Sequence, residues 1–282
     1  MTIELDSLIK QVGKLPSLPT VYYELSQEVD SPHSSLNSIG NVIRKDQGLA
    51  VRLLKLSNSA FYGLPSKVET LEEALQLIGL HQMRDIALAT TVITLFGGLP
   101  PGLVEPNQFW RHSIACAVGA ALLAEENEES QPERFFVGGL LHDIGRFIMY
   151  LRLPRESGEI LTRCRQSGEL PCVVENEVLG FDHALLGSAL IEHWRLPASL
   201  VEMVGCHHHP NRARAAVMDA ALVHVADFLA SGLDLGNSGE YVVSPLSPPA
   251  WERCRIPEQR LGRLVKEMDT RSEAMSRILT TA

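Results

Sequence analysis

The chain has 282 residues, 45% hydrophobic and 21% charged, which is enough apolar content for one large core or two modest ones. Its net charge is -9 at pH 7 and its basic residues are scattered, not gathered into a stripe, so no nucleic-acid partner is expected. No apolar run approaches the roughly 20 residues of a membrane span, and no basic-then-apolar leader follows Met1, so a cytoplasmic protein with no membrane partner is expected.

Apolar residues recur at helical spacing, as in Val42, Ile43, Leu49, Val51, Leu53, Leu54 and Leu56, and alternating strand-like runs are hard to find. Leu15-Pro16-Ser17-Leu18-Pro19 leads into an amphipathic helix, after which Ser31-Pro32 and Ser34-Ser35 supply a stop and capping hydroxyls for the next. Further helices are predicted at Asp46–Leu56, Leu71–Ile78 and Gln82–Thr94. Gly97-Gly98-Leu99-Pro100-Pro101-Gly102 then ends one helix without beginning another, and a lobe boundary is placed there.

Beyond it, helices are predicted at Pro106–Glu126, Pro132–Tyr150, Pro154–Gln166, Pro171–Leu179, His183–Trp194, Pro197–Cys206 and Ala213–Ala230. Ser231–Ile256, rich in Gly, Ser and Pro, reads as a long excursion before an amphipathic helix, Glu258–Leu279, that packs on the chain or serves a partner. The class is all-α, with a helical lobe over 1–100, a second helical lobe over 101–232, and the excursion with its terminal helix over 233–282. Cys116, Cys164, Cys172, Cys206 and Cys254 form no CxxC pair, so reduced thiols are expected in place of disulfides or a thiolate zinc site.

Leu140-Leu141-His142-Asp143-Ile144-Gly145-Arg146 sets an imidazole beside a carboxylate, two ligands for one divalent ion. Alone, the pair favours a plainer reading, a core hydrogen bond and a salt bridge inside a helix. Its company changes the balance: His112 lies thirty residues earlier, and Asp227 sits in Val225-Ala226-Asp227-Phe228 on an apolar helix. A carboxylate on such a face costs several kcal/mol unless neutralised, which a metal held by His112, His142, Asp143 and Asp227 achieves, as does an arginine. His183, His207 and His208 bring the set to seven, and a mononuclear site uses three or four protein ligands, so two ions bridged by Asp143 are expected.

The remaining histidines have plainer readings. His33 and His81 fall near turns, His193 ends a helix against its dipole, and His209 precedes Pro210 at the surface. His224, on the same helical side as Asp227, reads as a core hydrogen-bonding group, with a supporting contact to the site as the alternative.

Four segments of the first lobe resemble the successive signatures of HDOD domains: Leu15-Pro16-Ser17-Leu18-Pro19, Ile43-Arg44-Lys45-Asp46-Gln47-Gly48-Leu49, Leu54 through Asn58-Ser59-Ala60-Phe61-Tyr62-Gly63, and Ala74-Leu75-Gln76-Leu77-Ile78-Gly79-Leu80. The Asn58–Gly63 string is the most specific. By its chemistry it is structural, with small residues for close helix approach and Phe61 and Tyr62 plugging the core. The likeness continues through His183-Ala184-Leu185-Leu186-Gly187, Trp194-Arg195-Leu196-Pro197 and His207-His208-His209-Pro210, covering most of residues 10–232.

The resemblance implies a helical relative of the HD phosphohydrolases, found in bacterial signalling chains, many of which have lost catalytic ligands and act through protein contacts. Here the ligands persist. His112 matches the leading histidine, His142 and Asp143 the HD pair, His183 the helix-borne histidine, His207 and His208 the paired histidines, and Asp227 the closing aspartate. The set resembles that of bimetallic cyclic-dinucleotide hydrolases. Their glycine-tyrosine-proline loop has no counterpart in Pro210-Asn211-Arg212-Ala213-Arg214, and Gln108 stands where some bimetallic relatives place a glutamate.

Three functions compete. The first expectation is a signalling scaffold that binds divalent metal and acts on partner signalling proteins. The second is a metal-dependent phosphohydrolase or phosphodiesterase of a nucleotide or cyclic dinucleotide. In it Asp143 is the catalytic carboxylate, and Arg146, with Arg111, holds phosphate oxygens; surface salt bridges are the plain alternative for both arginines. The third is a non-haem iron redox or gas sensor. Iron is the first expectation for the ions, with Mn, Zn or Ni as alternatives.

Overall fold

The computed structural model describes residues 18–280 apart from 60, 65, 97, 98, 100 and 101, and among these every regular element is a helix. Taken over its described residues, the chain packs as two helical units, one within Pro16–Gly97 plus Thr270–Ala282 and one within Gly98–Asp269. Most of the break expected at 97–102 lies outside the described residues, as do residues 15–17 and Ala60 of the leading motifs.

The smaller unit contains α1 (Thr20–Val29), α2 (Leu36–Ile43), α3 (Gln47–Ser57), α4 (Leu71–Ile78) and α5 (Leu80–Leu95). Three of these begin where a side chain satisfies a free N–H group. Ser35 and Ser38 exchange hydrogen bonds at the head of α2, Asp46 accepts from the Leu49 N–H at 2.9 Å at the head of α3, and Thr70 and Glu73 form a reciprocal box at the head of α4. Gly79, at φ 99°, turns α4 directly into α5 through a conformation that a side chain would strain. Leu25, Ile39, Ile43, Leu53, Leu56, Leu75 and Met83 form the core.

Phe61 and Tyr62 do not plug that core. Both are half-buried and meet edge-on, with ring centroids 5.0 Å apart. The fastening falls to Asn58, whose amide donates to the Leu54 and Val68 carbonyls at 2.9 and 2.8 Å while its oxygen accepts from the Val68 N–H at 2.8 Å. These bonds tie Val68 to the end of α3 and satisfy backbone groups that the turn leaves open.

The larger unit contains α6 (Pro106–Glu126), α7 (Pro132–Leu141), α8 (Ile144–Arg152), α9 (Pro154–Ser167), α10 (Pro171–Leu179), α11 (His183–His193), α12 (Ala198–Cys206), a 3-10 turn (Pro210–Arg212), α13 (Val217–Gly232) and α14 (Pro248–Arg253). Prolines open α6, α7, α9, α10 and α14, where the missing N–H has no helical partner to lose. The last helix, α15 (Glu258–Leu279), buries Leu264 and Met268 in this unit, with Met268 against Gly119, so it packs on the chain itself. Among the described residues no helix is long and apolar enough to cross a membrane.

Helix α6 is buried at every position from His112 to Ala124 and lies against α7 and α13, while α11 packs on α8 and α12. Glycines set these distances. A Cβ on Gly139 of α7 would sit 2.6 Å from the Cys116 carbonyl oxygen of α6, and one on Gly145 of α8 would sit 2.0 Å from the His183 carbonyl oxygen of α11. Gly138 faces the Met203 side chain of α12 in the same way. The single helix expected over Pro132–Tyr150 is two, because the chain breaks at His142 and Asp143, the latter at φ -98° and ψ 11°. Gly138 and Gly139 before the break and Gly145 after it weaken helix propensity there, and the close approach of α8 to α11 redirects the chain.

Candidate metal centre

The break between α7 and α8 aims His142 and Asp143 into one buried space. His112 reaches it from α6, His183 from the start of α11, His207 and His208 from the end of α12, and Asp227 from α13. Two groups form, His112 with His142 and Asp227, and His183 with His207 and His208, each with its ligand atoms within 4.8 Å of one another.

Asp143 stands between the groups. Its Oδ2 is 3.3 Å from His142 Nε2 and 3.8 Å from His112 Nε2, while its Oδ1 is 3.2 Å from His183 Nε2 and 3.9 Å from His207 Nε2. Asp227 Oδ1 lies 3.2 Å from His112 Nε2, and His183 Nε2 lies 2.8 Å from His208 Nε2. All seven residues are buried except His208, which is half-buried.

The residues fit a divalent cation. His112 Nε2, His142 Nε2 and Asp143 Oδ1 are buried without a hydrogen-bond partner, an arrangement costing about 1–3 kcal/mol per group unless something else satisfies it. Three rings are oriented by bonds at the far nitrogen: His142 Nδ1 donates to the Gly139 carbonyl at 2.6 Å, His207 Nδ1 to the Val204 carbonyl at 2.7 Å, and His183 Nδ1 to the Glu175 carboxylate at 2.6 Å. Each leaves Nε2 facing the centre, where loss of any proton it carries exposes the lone pair that ligation requires.

Protonation follows the surroundings. Burial, reinforced by the His142 and His183 charges, presses His207 down to about 3, and burial with the His207 and His183 charges holds His208 well below the ordinary imidazole value. Burial and Arg146 also oppose a charge on His183, but Glu175 and Asp143 outweigh them and bring it to about 9. Burial raises Asp143, yet Arg146 and His142 keep its carboxyl well below the usual range; for Asp227, His112 and His142 overcome burial in the same direction.

Arg146 is 1% exposed; its two Nη groups are hydrogen-bonded within the chain, while its Nε is buried without a hydrogen-bond partner. Nη2 donates to Glu240 Oε1 at 2.5 Å and Nη1 to Ser238 Oγ at 3.0 Å, while Nε lies 3.4 Å from Asp143 Oδ1 and 4.0 Å from Glu175 Oε1. Arg111 is exposed on α6.

Ser238 and Glu240 belong to the excursion after α13, which straps back over the site. Gly236, at φ 92°, lies so close to α6 that a Cβ would collide with the His112 backbone nitrogen, and the Asn237 N–H donates to the Gln108 carbonyl at 3.0 Å. The Tyr150 hydroxyl donates to the Ser238 carbonyl at 2.6 Å. A cleft of about 160 Å³ opens here, with His112, Asp234, Ser238, Glu240 and Tyr241 in its wall.

Sequence reasoning missed Glu175, Ser238 and Glu240. Glu175, in Pro171-Cys172-Val173-Val174-Glu175, carried the signal that marked Asp227, a carboxylate in an apolar helix; the strap residues carried none. His224 is a core group, as read: its Nδ1 donates to the His207 carbonyl at 2.7 Å and its Nε2 accepts from the Ser247 N–H at 2.9 Å. His33, His81, His193 and His209 are exposed.

Residues 15–210 match the family model of the HDOD domain. The chain belongs to the HDOD family. The HDOD match takes in six of the seven converging residues and ends before Asp227 and the strap. Two groups of this chain, His112 with His142 and Asp227 and His183 with His207 and His208, are spaced so that each could hold a metal ion.

The fold is shared with solved HDOD structures. An HDOD domain protein of unknown function from Geobacter sulfurreducens superposes with TM-score 0.77 at 23% identity, over 98% of this chain and 96% of that one. A provisionally assigned phosphohydrolase from Shewanella amazonensis SB2B superposes with TM-score 0.75 at 24% identity, over 96% of this chain and 97% of that one. An uncharacterized protein of Treponema pallidum (strain Nichols) is 23% identical over 204 residues, 72% of this chain and 39% of its own length. The match thus spans about two fifths of that curated relative.

Proposed function

We propose that this HDOD chain is a signalling domain whose centre holds two divalent ions bridged by Asp143, and that it acts mainly through contacts with partner proteins. The observation that carries the reading is the division of the Asp143 carboxylate, one oxygen toward His112 and His142 and the other toward His183 and His207. On this assignment His112, His142 and Asp227 hold one ion, and His183, His207 and His208 the other.

Charge supports cation binding. Asp143, Glu175, Asp227 and Glu240 are buried together with the single guanidinium of Arg146, and without metal their charge draws a proton onto His183, a place a cation would take. Imidazole and carboxylate ligands without thiolate suit iron first, with Mn, Zn and Ni as alternatives; an iron pair would also admit redox sensing.

A second reading, a phosphohydrolase or phosphodiesterase of a nucleotide or cyclic dinucleotide, is favoured by the completeness of the ligand set. Bound ions would polarise a phosphoryl oxygen, with Asp143 holding them in register and Glu175 fixing the His183 ring. That reading needs the forked donors of Arg146, which hold Ser238 and Glu240, to be released.

Elemental analysis of protein purified without added metal tests the first reading. Wild type is expected to carry about two ions per chain and His183→Ala about one; equal contents in both refute the two-ion assignment. Asp143→Asn, assayed on a nucleotide and cyclic-dinucleotide panel, separates the readings. A scaffold shows no turnover in wild type, and its variant has a lower Tm and weaker partner capture, whereas turnover by wild type that the variant loses establishes the enzyme.

A further inference from the structure

Resting on the two-ion reading, we propose that Arg146 belongs to an oxyanion-binding subsite at the mouth of the centre, which the chain fills with its own Glu240 until a phosphate-type ligand displaces it. The donors are the first ground. Both Nη atoms of a fully buried guanidinium point at the strap, to Ser238 Oγ at 3.0 Å and to a Glu240 oxygen at 2.5 Å, a fork suited to two phosphate oxygens.

The second ground is the incomplete bonding of the occupant. Glu240 Oε2 is buried without a hydrogen-bond partner, so the carboxylate uses one oxygen and leaves the other desolvated. Burial raises its carboxyl against the pull of Arg146, and the charges of Asp227 and Asp143 raise it further. Asp227 and Asp143 repel an anion at this place when metal is absent, and bound cations would offset that repulsion, so that a free oxyanion competes for the same place.

The third ground is access. The cleft of about 160 Å³ has His112, Ser238 and Glu240 together in its wall, so one opening serves a metal ligand and the Arg146 partners. Replacing Glu240 by another oxyanion keeps the guanidinium paired throughout, which avoids the heavy cost of a lone buried charge. The competing account is an ion pair that only anchors the strap to α8.

The test uses the full metal-loaded chain, inorganic phosphate as probe, titration calorimetry, and amide exchange over residues 236–243. Glu240→Ala is expected to bind phosphate about tenfold more tightly than wild type, the factor for a strap that frees Arg146 about one tenth of the time. Phosphate should also accelerate exchange of 236–243 in wild type. Glu240→Gln, which keeps size and removes charge, should show the same direction if the alanine variant folds poorly, and Arg146→Met combined with Glu240→Gln should abolish the gain. Metal content is measured in each sample. Loaded protein whose phosphate affinity and strap exchange are unchanged overturns this proposal alone, while protein that takes up no metal overturns the two-ion reading and the proposal together.

Discussion

A single methyl group at Gly145 tests whether helix packing sets the metal geometry. In Gly145→Ala the new Cβ would lie 2.0 Å from the His183 carbonyl oxygen and 2.8 Å from the Gly187 nitrogen, against the 3.4 Å of ordinary contact. Both obstacles are backbone, so α8 and α11 must part by about 1 Å or more. Asp143 stands just before Gly145 and His183 opens α11, with Oδ1 and Nε2 3.2 Å apart. Ligand positions tolerate only ~0.2 Å of error, so the ion held by His183, His207, His208 and Asp143 should be lost. The group of His112, His142 and Asp227 spans α6, the α7 end and α13, away from that contact, and should keep its ion. Overpacking should cost about 1–3 kcal/mol, or ~2–4 °C in Tm per kcal/mol for a chain of this size. Elemental analysis and calorimetric melting read both effects. A variant with unchanged metal content and unchanged Tm would refute the claim that this helix contact positions the centre.

Other expectations follow from the same geometry. His183, raised from 6.5 to about 9, stabilises the metal-free chain fully below about pH 6.5 and loses that contribution as pH rises through 9. Because ligation expels that proton, affinity for its ion should climb by up to about tenfold per pH unit over this window and level off above it; titrations at pH 6.5, 7.5 and 8.5 check this, and a flat response contradicts it. Glu175→Gln keeps an acceptor for His183 but removes its charge, so affinity for that ion should fall by about 10–100-fold, while an unchanged binding isotherm would mean the carboxylate charge is idle. Thr70→Ala removes the cap of α4 and should cost about 1 kcal/mol in chemical denaturation with metal content intact; a matching loss of metal would contradict the placement of all candidate ligands in the larger unit.

The sequence by itself determined the helical class, through apolar spacing, and most helix starts, through Ser35, Asp46, Thr70 and the prolines at 106, 132, 154 and 171, because these signals act within one turn of the chain. It also nominated the seven residues that converge: His112 and Asp227 as groups awkward to bury unpaired, His142 and Asp143 as an adjacent ligand pair, and His183, His207 and His208 as further histidines matched by the resemblance. Tertiary structure alone decided how they are arranged. The Pro132–Tyr150 pattern is periodic throughout, yet contacts at Gly139 and Gly145 with helices distant in sequence break it at His142 and Asp143 and turn both side chains inward. The strap is the extreme case: Ser238 and Glu240 meet Arg146 from 92 and 94 residues away, out of a Gly- and Ser-rich stretch with no period to read. Local physics writes helices into the sequence, but the partners of a buried charge are chosen by whichever segment the fold brings alongside it.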